Sequence, residues 1–354
     1  MALLSWMELE DDLSPPALTI RAQTIPLNDS GRLRWDLFFP RVDADSIVIR
    51  DITQLDLRRV SDRREWGTRG RLIDFEAPSI NEWEMTPIES YFQVGEREIQ
   101  KLTERALGND QMFRTLIAAS IPARVDALAR ANLRRIEVEA FEAWALGQIT
   151  ARNPHTGAAT VLDLNYAAAR YQTAGADWDT TDAYDNFLAW LEDGAEYVGE
   201  IQGTISRTTL IRLIQTAAPA SLGLDMTRLS RTELEEEISS QLGRQFNFIA
   251  FDDTLEPYTD GGITTAAVNV WPADVIAAIP ASDGGRVGST HFAPVARAYE
   301  IAQGAGADAG IDIRGQTVYG EISGNGRQLT EECQVNALTI PAEGKMWVMN
   351  VNAP

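Results

Sequence analysis

The chain has 354 residues, 44% of them hydrophobic and 23% charged, with a formal net charge of −21. That much apolar material excludes a disordered acidic tail and is enough to bury a sizeable core. The excess acid excludes a surface built to coat a nucleic-acid backbone, which needs clustered cations, but it suits a wall that must not stick to DNA.

Residues 1–45 are interrupted by Pro15, Pro16, Pro26 and Pro40, which rule out a long helix and leave an extended arm ending in Leu37-Phe38-Phe39. From Ser46 the pattern alternates. Ile47, Ile49, Leu55 and Leu57 share one side, and a second run, Leu72 to Phe75, follows the turn-like Gly67-Thr68-Arg69-Gly70, so a long β-hairpin is expected over 46–92. Its tip half, Leu55 to Arg71, carries six arginines (58, 59, 63, 64, 69 and 71) against Asp56, Asp62 and Glu65, a local balance of +3. Leu72 to Glu98 carries seven acids against Arg97, a balance of −6. A projecting basic tip is best neutralised by the acidic stem of a neighbouring copy, which makes a head-to-tail contact between subunits. The candidate pairs are Arg58, Arg59, Arg63 and Arg64 with Glu82, Glu84 and Glu89 of the next subunit.

Short helices are expected at Arg97–Leu107 and Asp110–Ala119. Ser120-Ile121-Pro122, a serine cap with proline in the first turn, then predicts the start of a spine helix over 121–149, ~43 Å long at 1.5 Å per residue. Its apolar side is Val125, Leu128, Ile136, Phe141, Trp144 and Ile149; Asp126/Arg130 and Arg135/Glu139 are expected as i,i+4 pairs on the wet side. The turn Arg152-Asn153-Pro154-His155-Thr156-Gly157 leads into a strand at Thr160–Tyr166. An α+β unit over 186–324 follows. Its expected parts are a helix at Asp182–Val198, a strand at Ile201–Ile205, a helix at Thr208–Ala217 capped by Ser206, a helix opened by the capping box Ser230-Arg231-Thr232-Glu233, and buried strands at Phe246–Phe251 and Asp274–Ile279. After Gly324-Asn325-Gly326 the chain alternates again at Cys333, Val335 and Ala337, turns at Pro341-Ala342-Glu343-Gly344 and runs through Met346–Val351, which predicts a terminal hairpin packed on the spine.

Residues that would carry chemistry are sparse. The two histidines, His155 and His291, are expected in loops, and no phosphate loop, nucleophile elbow or C-x-x-C pair is present. The single cysteine, Cys333, excludes an intrachain disulfide and a cysteine-built zinc site, and neither metal nor cofactor is expected. Trp144 and Trp190 fall on core faces. The start MALLSWMELEDD has no basic n-region, and no run of about 18 apolar residues occurs, so neither secretion nor membrane insertion is expected.

The order of parts resembles that of tailed-phage major capsid proteins, specifically the phage lambda-like head protein family with the Hong Kong 97 fold. The resemblance rests on Leu37-Phe38-Phe39 closing the arm, on the helix 121–149 ending in Arg152 to Gly157 before Val161-Leu162-Asp163-Leu164, and on Gln334 to Val351. It implies an α+β fold with an N-terminal arm (1–45), an extended β-hairpin loop (46–92), a peripheral domain with the spine helix (93–185), an inserted axial domain (186–324) and C-terminal strands returning to the peripheral domain (325–354). The function implied is non-enzymatic: hexamers and pentamers forming an icosahedral shell around double-stranded DNA bound without sequence specificity. Portal, scaffold and decoration proteins would be partners, with assembly in the host cytoplasm. Some relatives lock their shells with lysine–asparagine bonds; residues 46–92 contain no lysine, so non-covalent closure is expected. No scaffolding segment is expected before the arm. The same fold would serve an encapsulin-like compartment or a gene-transfer particle, and the reading from another class is an acidic carbohydrate-active enzyme using paired carboxylates.

Overall fold

The fold is that of a computed structural model, which describes residues 14–26, 34–52, 80–94, 111–152, 158–174, 178, 182–255, 259–260, 263–264, 268–305, 310–323 and 328–351. Its principal elements in chain order are α1 (Pro15–Thr24), β1 (Arg41–Asp43), β2 (Val48–Ile52), β3 (Ile80–Glu84), β4 (Pro87–Val94), α2 (Gln111–Leu146), β5 (Gln148–Arg152), β6 (Ala159–Asp163), β7 (Tyr171–Thr173), α3 (Ala183–Val198), β8 (Ile201–Ser206), α4 (Thr208–Ser221), α5 (Arg231–Leu242), β9 (Asn247–Ala250), β10 (Val275–Pro280), β11 (Gly288–Ala293), α6 (Ala296–Ala305), β12 (Thr317–Ser323), β13 (Gln328–Pro341) and β14 (Val348–Asn350).

The first of two five-stranded sheets is organised by β13. Both β4 and β12 pair with Leu329–Gln334, so they take opposite edges of it, while β11 pairs with Asn336–Pro341 and carries β1 in parallel on its far side. The alternation of β13 turns Cys333 and Val335 toward the spine helix α2, and Asn132 of α2 donates to the Cys333 carbonyl at 3.0 Å. Helix α1 closes the same face: Leu18 and Ala22 pack with Val125, Ala129 and Val318.

Helix α2 is longer than its sequence suggests. It begins at Gln111, with Pro122 inside it, and Ser120 is not its cap. Proline at an interior position removes one backbone hydrogen bond, a local cost that a helix packed along a sheet can absorb, whereas the same proline at a first turn costs nothing. The C-terminal end is also earlier than expected. Gly147 adopts φ +67°, its amide bonds the Ala143 carbonyl at 3.0 Å, and Gln148–Arg152 pair with β6 instead of continuing the helix. Residues 97–107 lie outside the described residues, as do 153–157 with His155. On the outer face Arg135 and Glu139 form the expected pair at 2.7 Å, although Glu139 is largely buried. Asp126 instead receives a two-point bond from Arg21 of α1 at 2.7 and 2.8 Å.

The second sheet has the order β7–β14–β10–β8–β9. Every residue of its middle strand, β10, is buried. The capping box of α5 forms as expected, with Ser230 accepting from the Glu233 amide and Glu233 reaching back to Ser230. Ser206 does not cap α4. The Asp252 carboxylate, brought alongside by β9, accepts the Thr208 amide at 3.1 Å in its place. The expected terminal hairpin does not form: β14 leaves β13 and inserts between β7 and β10. The reason is that this segment is apolar on both sides. Met346 and Val348 enter the core under the spine, Trp347, Met349 and Val351 enter the core under α3 and α4, and only an interior strand position covers both faces.

Candidate inter-subunit interface

The hairpin stem is a two-stranded sheet of its own. β2 and β3 pair antiparallel from Val48 opposite Glu84 to Ile52 opposite Ile80, with Ile49 opposite Trp83 and Arg50 opposite Glu82. Period-two alternation sorts the side chains of β3. Trp83 and, just beyond the strand, Met85 are buried with Ile49 against Ala143, Ile149, Leu338 and Ile340, while Glu82 and Glu84 are exposed. One face therefore fastens the stem to the end of the spine, and the other presents two carboxylates to solvent.

The structure does not bring all the expected acids together. Glu89 lies on β4, because the chain leaves the hairpin after Glu84 and residues 87–94 pair with β13. Residues 87–92, read from sequence as part of the extended loop, thus belong to the first sheet. There Glu89 is diagonal to Glu332, and partial burial together with that neighbouring carboxylate raises its pKa. Arg58, Arg59, Arg63 and Arg64, the turn at 67–70 and the strand at 72–75 lie outside the described residues.

The arm meets the spine at a second polar point. Phe38 and Phe39 are buried against Trp144, with ring centroids 5.2 and 5.7 Å apart, and the Arg34 amide donates to Glu137 at 2.7 Å. Glu137 is only 4% exposed. Burial pushes its carboxyl up to about 7; the bond from Arg34 and the charges of Arg134 and Arg34 oppose the rise, and Asp253 adds to it. Sequence reasoning passed over this residue, yet the signal was present: Glu137 interrupts the apolar series Leu133, Ile136, Ala140, Phe141 and Trp144.

Other reactive groups have structural surroundings. Burial pushes the Cys333 thiol up to about 12, against the lowering effect of Asn132, so it carries little thiolate at neutral pH. His291 is in strand β11, not a loop, and Ser289 lies 2.9 Å from its Nε2 along the same face. Trp144 and Trp190 are buried. Among the described residues no group of three His, Cys, Asp or Glu is placed to hold a metal ion, and no helix is long and apolar enough to cross a membrane.

No family model matches the sequence, and no curated protein matches it. Solved structures match over nearly the whole chain. A protein assigned as the capsid protein of a prophage from Escherichia coli CFT073 is 14% identical, with 99% of this chain and 97% of that chain covered and a TM-score of 0.50. A phage-related protein from Bordetella bronchiseptica RB50 is 12% identical, with 96% and 97% covered and a TM-score of 0.48. The holo-SrpI encapsulin complex from Synechococcus elongatus PCC 7942 is 11% identical, with 99% and 95% covered and a TM-score of 0.40. The chain has the α+β fold of tailed-phage major capsid proteins.

Proposed function

We propose that this chain is the major capsid protein of a tailed phage, a non-enzymatic subunit that assembles into hexamers and pentamers of an icosahedral shell around double-stranded DNA. The observation that carries the reading is the fold itself, matched end to end by a prophage capsid protein. The spine, the first sheet and the arm make the peripheral domain in this reading, and the second sheet with α3, α4 and α5 makes the axial domain. The hairpin stem supports it: a base fixed by Trp83 and Met85, two outward carboxylates, and a basic stretch at 58–64 that a neighbour's acids would neutralise. DNA is held inside without sequence readout, a portal and optional scaffold or decoration proteins complete the particle, and assembly takes place in the host cytoplasm.

Negative-stain imaging of the purified chain tests this reading, with closed shells or capsomer rings as the expected result; a monodisperse monomer at every concentration overturns it. Packaged DNA in particles from infected or induced cells separates a phage head from a cargo compartment. Reversing Arg63 and Arg64 to glutamate is expected to abolish shells while leaving the thermal unfolding of the monomer unchanged. Normal shells from that variant would remove the tip-to-stem pairing.

A further inference from the structure

Between the arm and the edge strand of the second sheet lies an open cavity of about 400 Å³, more than ten times the share of a single water. Leu37, Phe38, Phe248 and Ile249 line it together with Arg34 and Arg231. Leu37 is 61% exposed although its neighbours in the arm, Phe38 and Phe39, are buried. Arg231 is held by Glu235 at 2.9 Å and by the Phe248 carbonyl. Arg34 packs over the Phe251 ring, 5.5 Å from its centroid, and makes no ion pair among the described residues. Arg34 and Arg231 thus flank an apolar hollow, Arg231 already engaged by Glu235, in a chain of net charge −21.

The chemical complement of that hollow is on the same molecule. Between α4 and α5 the chain turns at Gly223, with φ +67°, and exposes Leu224-Asp225-Met226. Leu224 is 44% and Met226 48% exposed, with the carboxylate of Asp225 between them. The turn is held in shape from both ends: the Leu224 amide bonds the Pro219 carbonyl at 2.8 Å, the Leu229 amide bonds the Gln215 carbonyl at 3.1 Å, and Arg228 bonds the Gln215 side chain at 2.7 Å. A pre-shaped turn binds with less loss of entropy than a loose one.

We propose that Leu224-Asp225-Met226 of one copy seats in the Arg34/Arg231 cavity of the next, the two apolar side chains filling the hollow and Asp225 meeting the Arg34 guanidinium. Knob and socket are different patches, so the contact is head-to-tail, the kind that builds a ring when the rotation between copies closes. The inference rests on the reading that copies of this chain assemble, but it concerns a different surface from the hairpin tip.

The test is a Leu37→Cys/Met226→Cys double variant of the full chain, oxidised in solution and run without reductant. Cys333 is fully buried and does not compete. Covalent species larger than dimers are expected from the double variant and from neither single variant. Adding Asp225→Arg, on an exposed turn that the fold does not use, is expected to slow their formation about tenfold, and adding Arg34→Asp to that variant is expected to restore it. A crosslink confined to one copy, or no ladder while wild-type shells form normally, overturns the knob-and-socket contact and leaves the shell reading standing. No ladder from a chain that light scattering finds monomeric overturns both.

Discussion

The core under the spine and the core under α3 and α4 are built in contrasting ways. The second is drawn largely from one stretch: Trp178, Tyr184, Phe187, Trp190, Leu210, Ile214, Leu234, Phe246 and Phe248, closed by Ile276, Trp347 and Met349. The spine core gathers Trp35, Phe38 and Phe39 from the arm, Leu133 to Ala145 from α2, Phe251, Trp271 and Val275 from the second sheet region, and Val335, Met346 and Val348 from the end of the chain. Contacts that span so much sequence lose more chain entropy when they form, so the spine core depends on the whole chain being in place. It is also the core with a carboxylate inside it, Glu137, at the point where arm and spine touch.

Removing the ring on which the arm rests is the strongest way to break this contrast. Trp144→Ala takes away a fully buried side chain that touches Phe38, Phe39 and Trp271, and is expected to cost about 3–5 kcal/mol. Urea unfolding reads it, and a loss below about 1 kcal/mol would mean that the arm does not depend on the spine.

Glu137 sharpens the contrast through pH. Its carboxyl is raised from 4.5 to about 7 in the folded chain, so the fold favours the neutral form. The corresponding stability is complete below about 4.5 and is lost as pH rises through about 7, a loss on the order of 3 kcal/mol by pH 8. Glu137→Gln keeps an acceptor for the Arg34 amide but cannot ionise. It is expected to flatten the stability profile between pH 4.5 and 8 and to be the more stable protein at the alkaline end. Thermal melts across that range check it, and an unchanged slope would place the titrating group elsewhere.

The smallest effect belongs to the other block. Ser230→Ala removes the side-chain half of the α5 capping box and is expected to cost about 1 kcal/mol, with no dependence on whether the arm is present. A larger loss, or one that changes when the arm is deleted, would mean that the two cores are not independent.

Features whose physics is local could be read directly from residue order. The Ser230–Glu233 box, the helix over 183–198 and the strand that follows Gly157 each depend on side chains a few positions apart. The outward placement of Glu82 and Glu84 followed from alternation, once β3 was fixed by its pairing with β2. Pro122 was misread because the same proline fits a first turn or a helix interior, and the preceding residues decide between them. Ser206 was misread because Asp252, its replacement at the head of α4, comes from the chain just after β9, far along the sequence.

Composition, period and capping by themselves determined the kind of protein this is: an acidic α+β chain with an aromatic arm, a charged hairpin, a spine helix and a second αβ unit. Tertiary structure alone decided where β14 goes, that Glu89 lies diagonal to Glu332, and that Glu137 is buried. Each of these depends on which distant segment supplies a neighbour. A strand apolar on both faces does not say which sheet it will enter, and a carboxylate on a helix does not say what will cover it, because burial belongs to the packed partners and not to the residue.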